Sequence, residues 1–153
     1  MSNIVQYPFE YLHSEIVKFF VDAEASKTRN EPNAVTKLEH MGFRVGYALA
    51  ERLSKDVPRL CSELDTVKFV CKEFWSAVFR RQVDNLKTNH QGVYVIFDNQ
   101  FWLLTPIHYL QHSAFCCGII RGALTNLGYS GIVTADIVQA PAVKFNVTIQ
   151  QRI

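Results

Sequence analysis

Two apolar stretches of this chain carry small residues at four-residue intervals: Gly42, Gly46 and Ala50 in HMGFRVGYALAERL, and Ala114, Gly118 and Gly122 in SAFCCGIIRGALTNLG. Both stretches have helical periodicity, and a glycine inside a helix costs about 0.5–1 kcal/mol relative to alanine. Residues four apart stack on a single helix face, so each row is a strip of bare backbone that another backbone, an aromatic ring or a thin ligand can approach closely. Packing is the compensation the pattern points to. Gly42, Gly46 and Ala50 let the second helix lie tight within its own domain. Gly118 and Gly122 are expected to seat the last helix against the sheet or the third helix, near Phe74, Trp75 and Phe79.

The chain has 153 residues, 48% of them hydrophobic and 20% charged, which suits one cooperatively folded domain over residues 1–153. A net charge of +2 without a clustered basic stripe argues against nucleic acid as a partner. No apolar run approaches the roughly 18–20 residues of a bilayer crossing, and the first twenty residues lack the order of a secretory signal; a cytosolic protein is expected. Of the four cysteines, Cys71, Cys116 and Cys117 fall in apolar helical stretches, which reads as reduced, buried thiols rather than a disulfide framework.

Leu12, Ile16, Phe19 and Phe20 recur on one face of a first amphipathic helix. Asn30 and Pro32 suit the turn into a second, along which Val35, Leu38, Gly42, Val45, Leu49 and Leu53 recur at spacings of three and four, ending before Pro58. Ser62 and Asp65 have the spacing of a capping box ahead of a third helix, whose face holds Leu64, Val67, Cys71, Phe74 and Val78. Phe69, Trp75 and Phe79 widen that surface enough to require cover on more than one side. The pattern then alternates, with Val93, Val95 and Phe97 opposite Tyr94, Ile96 and Asp98, and a turn over Asp98 to Gln100 leads to FWLL as the return strand. A fourth helix is predicted from about His108 to Leu127, stopped by Gly128, and two last strands, GIVTADIVQ and AVKFNVTIQ, flank Ala140 and Pro141. Runs of helices and runs of strands give an α+β domain with helices on one face of an antiparallel sheet.

Candidate chemistry is sparse. His108, His112 and Cys116, with Cys117 adjacent, are spaced to place potential zinc ligands on one helix face, although the cysteines equally belong to the apolar stripe with Phe115 and Ile119. No signature of a cysteine hydrolase surrounds any thiol, and the phosphate-binding glycine loops are absent. No catalytic residue, metal or cofactor is assigned. A line of Lys68, Lys72, Ser76, Arg80 and Lys87, with Arg81 nearby, could face anionic headgroups or an acidic partner, but a charged helix line is more often its solvated face. The first helix is more informative. Tyr7, Phe9, Tyr11, Phe19 and Phe20 place five rings in fourteen residues, more than one helix face needs for the core, and aromatic residues are enriched at protein interfaces.

Taken together, HMGFRVGYALAERL, LDTVKFVCKEFWSAVFRRQVDNLKTNHQGVYVIFDN and CGIIRGALTNLG resemble the small subunits of the TRAPP (transport protein particle) vesicle-tethering complex, most of all the subunit six type. The resemblance runs from about Phe9 to Ile149. It implies four main helices on one face of a twisted four-stranded antiparallel sheet. It implies pairing with a sister small subunit through the first two helices, with Leu12, Ile16, Phe19 and Phe20 from one and Met41, Val45 and Leu49 from the other as the partner-binding face. Self-pairing of the isolated chain falls within the same expectation. Beyond the pair it implies further subunits, action on a Rab GTPase by the whole assembly, and a cytoplasmic place, peripheral to cis-Golgi and endoplasmic reticulum membranes through the complex. Sister subunits carry an acyl chain on a cysteine just ahead of the third helix; Cys61 in VPRLCSELDT holds a comparable position, which supports the alternative of a lipid-binding adaptor with a tunnel lined by Cys71, Phe74, Val78 and Phe115. The chain departs from the family pattern between FWLLTP and the fourth helix, where it is several residues shorter than expected.

Overall fold

The computed structural model describes residues 3–25, 32–103 and 109–153, with side chains from Tyr7 onward in the first stretch and from His112 onward in the last. Helix α1 spans Asn3–Glu24 and α2 spans Ala34–Ser54. The third helical rod is continuous: α3 (Glu63–Phe69), a π-helical turn (Val70–Phe74) and α4 (Trp75–Phe79). Strands β1 (Asn85–Thr88) and β2 (Val93–Asp98) follow, then α5 (Tyr109–Asn126), β3 (Tyr129–Gln139) and β4 (Ala142–Arg152). Four helical rods and a four-stranded antiparallel sheet, ordered β1-β2-β4-β3, make the α+β fold.

Local chemistry explains where the elements begin and end. The amide of Thr36 donates to Asn33 Oδ1 at 2.9 Å to cap α2, and the amide of Asp65 donates to Ser62 Oγ at 3.1 Å to cap α3. The cap of α2 is therefore Asn33; Asn30 lies outside the described residues. Arg80 takes a left-handed conformation with φ 58°, which stops the third rod, and Gly128 does the same beyond α5 with φ 98°. The indole N–H of Trp102 donates to the carbonyl of Phe79 at 2.8 Å, satisfying one of the last carbonyls of α4.

Strand alternation builds the inner face of the sheet. Tyr94, Ile96 and Asp98 of β2 and Val143, Phe145 and Val147 of β4 are buried, while their neighbours Lys144, Asn146 and Thr148 are not. Against that face lies an aromatic cluster: Trp75 and Phe79 have ring centroids 4.7 Å apart, and Phe101 and Phe145 meet edge-to-face at 5.3 Å. Asp98 is fully buried within it, accepting from the Trp75 indole at 3.0 Å and the Gln100 amide at 3.1 Å and pairing with Arg81 at 2.8 Å. Burial pushes the Asp98 carboxyl above its usual range, and these three partners pull the other way.

Three expectations need correction. The strand paired with Val93–Asp98 in the first hairpin precedes it: β1 pairs Asn85 with Phe97 and Thr88 with Tyr94. Phe101 to Leu103 of FWLL form no strand; Phe101 and Leu103 are buried and Trp102 caps α4, while residues 104–108, the segment expected to be short, lie outside the described residues. The glycine rows meet each other. A Cβ on Gly42 would stand 2.9 Å from the Phe115 carbonyl carbon, and one on Gly46 2.6 Å from that of Ile119. Cβ atoms on Gly118 and Gly122 would each fall 2.9 Å from a main-chain carbonyl carbon of α2, those of Glu39 and Phe43. The last helix thus seats on α2, not through its glycines on the sheet or the third rod.

Because those clashes are with backbone, no side-chain rotamer relieves them. Gly46→Ala or Gly118→Ala should lower unfolding free energy by about 1–3 kcal/mol, the scale of overpacking, despite alanine's better helix propensity. Urea unfolding measures this, and wild-type stability in both variants would show that the helices can separate at little cost.

Candidate partner-binding site

Helix α1 is apolar on two sides. Val17 and His13 are buried, at 0% and 1% exposure, whereas Leu12 and Phe19 on the outer side are 58% and 68% exposed. Ile16 and Phe20 stand between, half-buried against the core, and Phe9 shares their stripe. On α2 the glycine row faces α5, which turns Met41, Val45 and Leu49 toward the α1 side; Val45 is exposed, while Met41 and Leu49 are half-buried. Ala50 and Ala114 are buried with the glycines. Of the seven residues assigned to a partner face, three are therefore open and four are partly committed to the fold. Sequence reasoning missed what lies beside them, a hollow of about 330 Å³ walled by Phe9 of α1, Val45, Leu49 and Leu53 of α2, Val78 of α4 and Ile119 of α5. Ala77 and Arg52 complete its lining.

The other flank of α2 is fixed by charge. Arg121 of α5 makes a bidentate pair with Glu39, its Nη2 donating to Oε2 at 3.0 Å, and its guanidinium lies 4.2 Å from the centre of the Phe43 ring. A helix-interior arginine three residues beyond Gly118 was the available signal for a cation serving the α2–α5 contact. The basic line proposed for the third rod is not one surface. Lys68 and Lys72 are exposed on the rod, Arg80 sits past its end, and Lys87 is on β1 with its ammonium 5.3 Å from the Phe97 ring centre.

The zinc arrangement finds little support. His108 lies outside the described residues, and among the described residues no group of three or more metal-ligating side chains converges. His112 packs instead against His13, edge-to-face with centroids 5.1 Å apart, and His13 also meets Phe115 at 5.2 Å. Burial raises the thiols of Cys71 and Cys117 to about 12 and that of Cys116 well above its ordinary value, which leaves them poor nucleophiles. Cys61 alone is exposed, with its thiol 3.4 Å from the carbonyl of Arg59 just before the Ser62 cap. Cys71, Phe74 and Phe115 belong to the buried core, whereas Val78 lines the hollow described above.

The family model for the transport protein particle (TRAPP) component matches residues 9–151. The chain belongs to the TRAPP component family. It is 52% identical over 151 residues to trafficking protein particle complex subunit 6b of Danio rerio, covering 94% of this chain and 96% of that one. It is 51% identical over 152 residues to subunit 6B of Homo sapiens, with the same coverage. Among solved structures, subunit 3 of the complex from Naegleria fowleri, described as covalently bound to palmitic acid, shares the fold with a TM-score of 0.77 and 16% identity over 99% of both chains.

His13 supplies a test of how α1 is held. Burial above all, and then the neighbouring His112, hold its imidazole down to about 4 from an ordinary 6.5. The unfolded chain therefore binds this proton more readily than the folded one, so the site's contribution is intact above pH 6.5 and is lost as pH falls toward 4. The full loss is about 3 kcal/mol. Unfolding free energies across this range should fall more steeply for the wild type than for His13→Phe; parallel curves would show that His13 titrates normally.

Proposed function

We propose that this chain is a non-catalytic scaffold subunit of a vesicle-tethering complex, and that it pairs with a sister TRAPP small subunit through the outer face of α1 and the adjoining flank of α2. In this reading the pair joins further subunits, and the assembly promotes nucleotide exchange on a Rab GTPase while peripheral to early Golgi and endoplasmic reticulum membranes. The observation that carries it is the exposure of Leu12, Phe19 and Val45 beside half-buried Ile16, Met41 and Leu49, an apolar face that the fold leaves open. Membership of a family of complex components supplies the partner class. No helix among the described residues is long and apolar enough to cross a membrane, so membrane contact in this reading runs through the assembly.

Leu12→Glu with Phe19→Glu should abolish co-purification with the sister subunit, at about 2 kcal/mol or more per site if these are central anchors. Both side chains are mostly exposed, so the monomer should keep its circular dichroism spectrum and unfolding midpoint. Undiminished pairing would place the interface elsewhere.

A second reading, an acyl-binding adaptor modified at Cys61, draws on the exposure of that thiol ahead of α3 and on the palmitate of the subunit 3 structure. Intact mass of the chain purified from eukaryotic cells decides it: one added acyl group, lost in Cys61→Ser, would support it, and an unmodified mass would remove it.

A further inference from the structure

We propose that the hollow between α1, α2, α4 and α5 is a socket for one bulky apolar side chain, aromatic or leucine, carried on the first helix of the sister subunit. The proposal rests on the pairing reading above and adds where the pairing energy is concentrated and which feature of the partner supplies it.

The hollow measures about 330 Å³, and seven of its eight lining residues are apolar. At a liquid share of ~30 Å³ per molecule it has room for roughly ten waters. Such walls offer those waters few hydrogen bonds, and replacing poorly bonded water with an apolar group is favourable. The side chains of the described residues leave this space unfilled, while Leu12 and Phe19 of the first helix project away from the core at 58% and 68% exposure. One surface thus carries both projecting side chains and a recess. That is the requirement for two chains of one fold to meet about a two-fold axis, where the same patch lies on both sides and the projections of each chain face the recess of the other.

The partner's chemistry follows from the same geometry. A TRAPP subunit of a different type has this fold over 99% of its length, so a sister subunit presents its first helix in the equivalent place. Arg52 is the one charged residue in the lining, which disfavours a lysine or arginine as the inserted group. Central, desolvated pockets that receive a large side chain are where binding energy concentrates in interfaces.

Ala77 provides the test, because it lines the hollow from α4 and lies outside both helices of the proposed pairing face. Ala77→Trp places a large side chain in the recess, Ala77→Leu a smaller one, and Ala77→Ser leaves it open. Affinity for the small subunit that co-purifies with the wild-type chain is measured by calorimetry, with thermal unfolding run on each variant. The expected result is at least a tenfold loss for tryptophan, a smaller loss for leucine, none for serine, and unfolding midpoints equal to or above that of the wild type. If the tryptophan variant does not fold, the leucine variant decides. Unchanged affinity in the folded filled variants overturns the socket, and Leu12→Glu with Phe19→Glu then shows whether pairing through this face survives without it. If filling changes only self-association, the occupant is a second copy of this chain and the proposal fails.

Discussion

The contact between α2 and α5 sets the geometry on which everything else depends. Gly42 lies against Phe115, Gly46 against Ile119, Gly118 against Glu39 and Gly122 against Phe43. Both numbers rise together along the contact, so the two helices run in the same direction, and each offers glycines to the other's carbonyls. Backbones this close bring Cα–H groups onto carbonyl oxygens, a weak interaction that recurs in helix–helix contacts. Arg121 then locks the register from one side by its bidentate bond to Glu39 and its stacking on Phe43. Because these contacts are made by backbone, α2 cannot turn about its own axis without clashes that side chains cannot relieve.

That fixed rotation decides what the two flanks of α2 can do. One flank holds Phe43 and Tyr47 beside Arg121, and the other turns Met41, Val45 and Leu49 toward α1. Helix α1 rests on this second flank and on α5 through a narrow inner stripe in which His13 and Val17 are buried. A helix of 22 residues that buries so narrow a stripe keeps apolar surface to spare, and Leu12 and Phe19 on its outer side stay mostly exposed. The open apolar face is thus a consequence of the glycine contact, since a rotated α2 would not align Val45 with Phe9 around the same hollow.

Much of this was legible in the residues. The two rows of small residues announced a close approach, the periodicity placed the helical rods, and β-branched alternation placed β2, β3 and β4. The partner of the glycine rows was not legible, because a bare strip states that something comes near without naming it. Strand β1 was hidden because four residues, Asn85–Thr88, follow directly on a helical pattern and pair only at the sheet edge. FWLL misled in the opposite direction: its large residues are consumed by the core and by the cap of α4 at Phe79, a demand that alternation alone does not reveal. The hollow was beyond reach for a simpler reason, since its walls come from four separate helices.

The comparison with subunit 3 separates what the fold requires from what distinguishes one subunit from another. At 16% identity the two chains still share architecture over nearly their whole length, so most side chains can change while the arrangement of elements persists. Positions pointing into backbone, such as Gly46 and Gly118, have no such freedom in this chain, because a single added carbon collides with a carbonyl group. Leu12 and Phe19 are less constrained by the monomer: Phe19 meets Phe20 edge-to-face, but both side chains are mostly exposed, and exposure of such groups to water is unfavourable. Under the proposed pairing these side chains would be covered by the partner, and differences at such outward positions are an economical way for subunits of one fold to choose among partners.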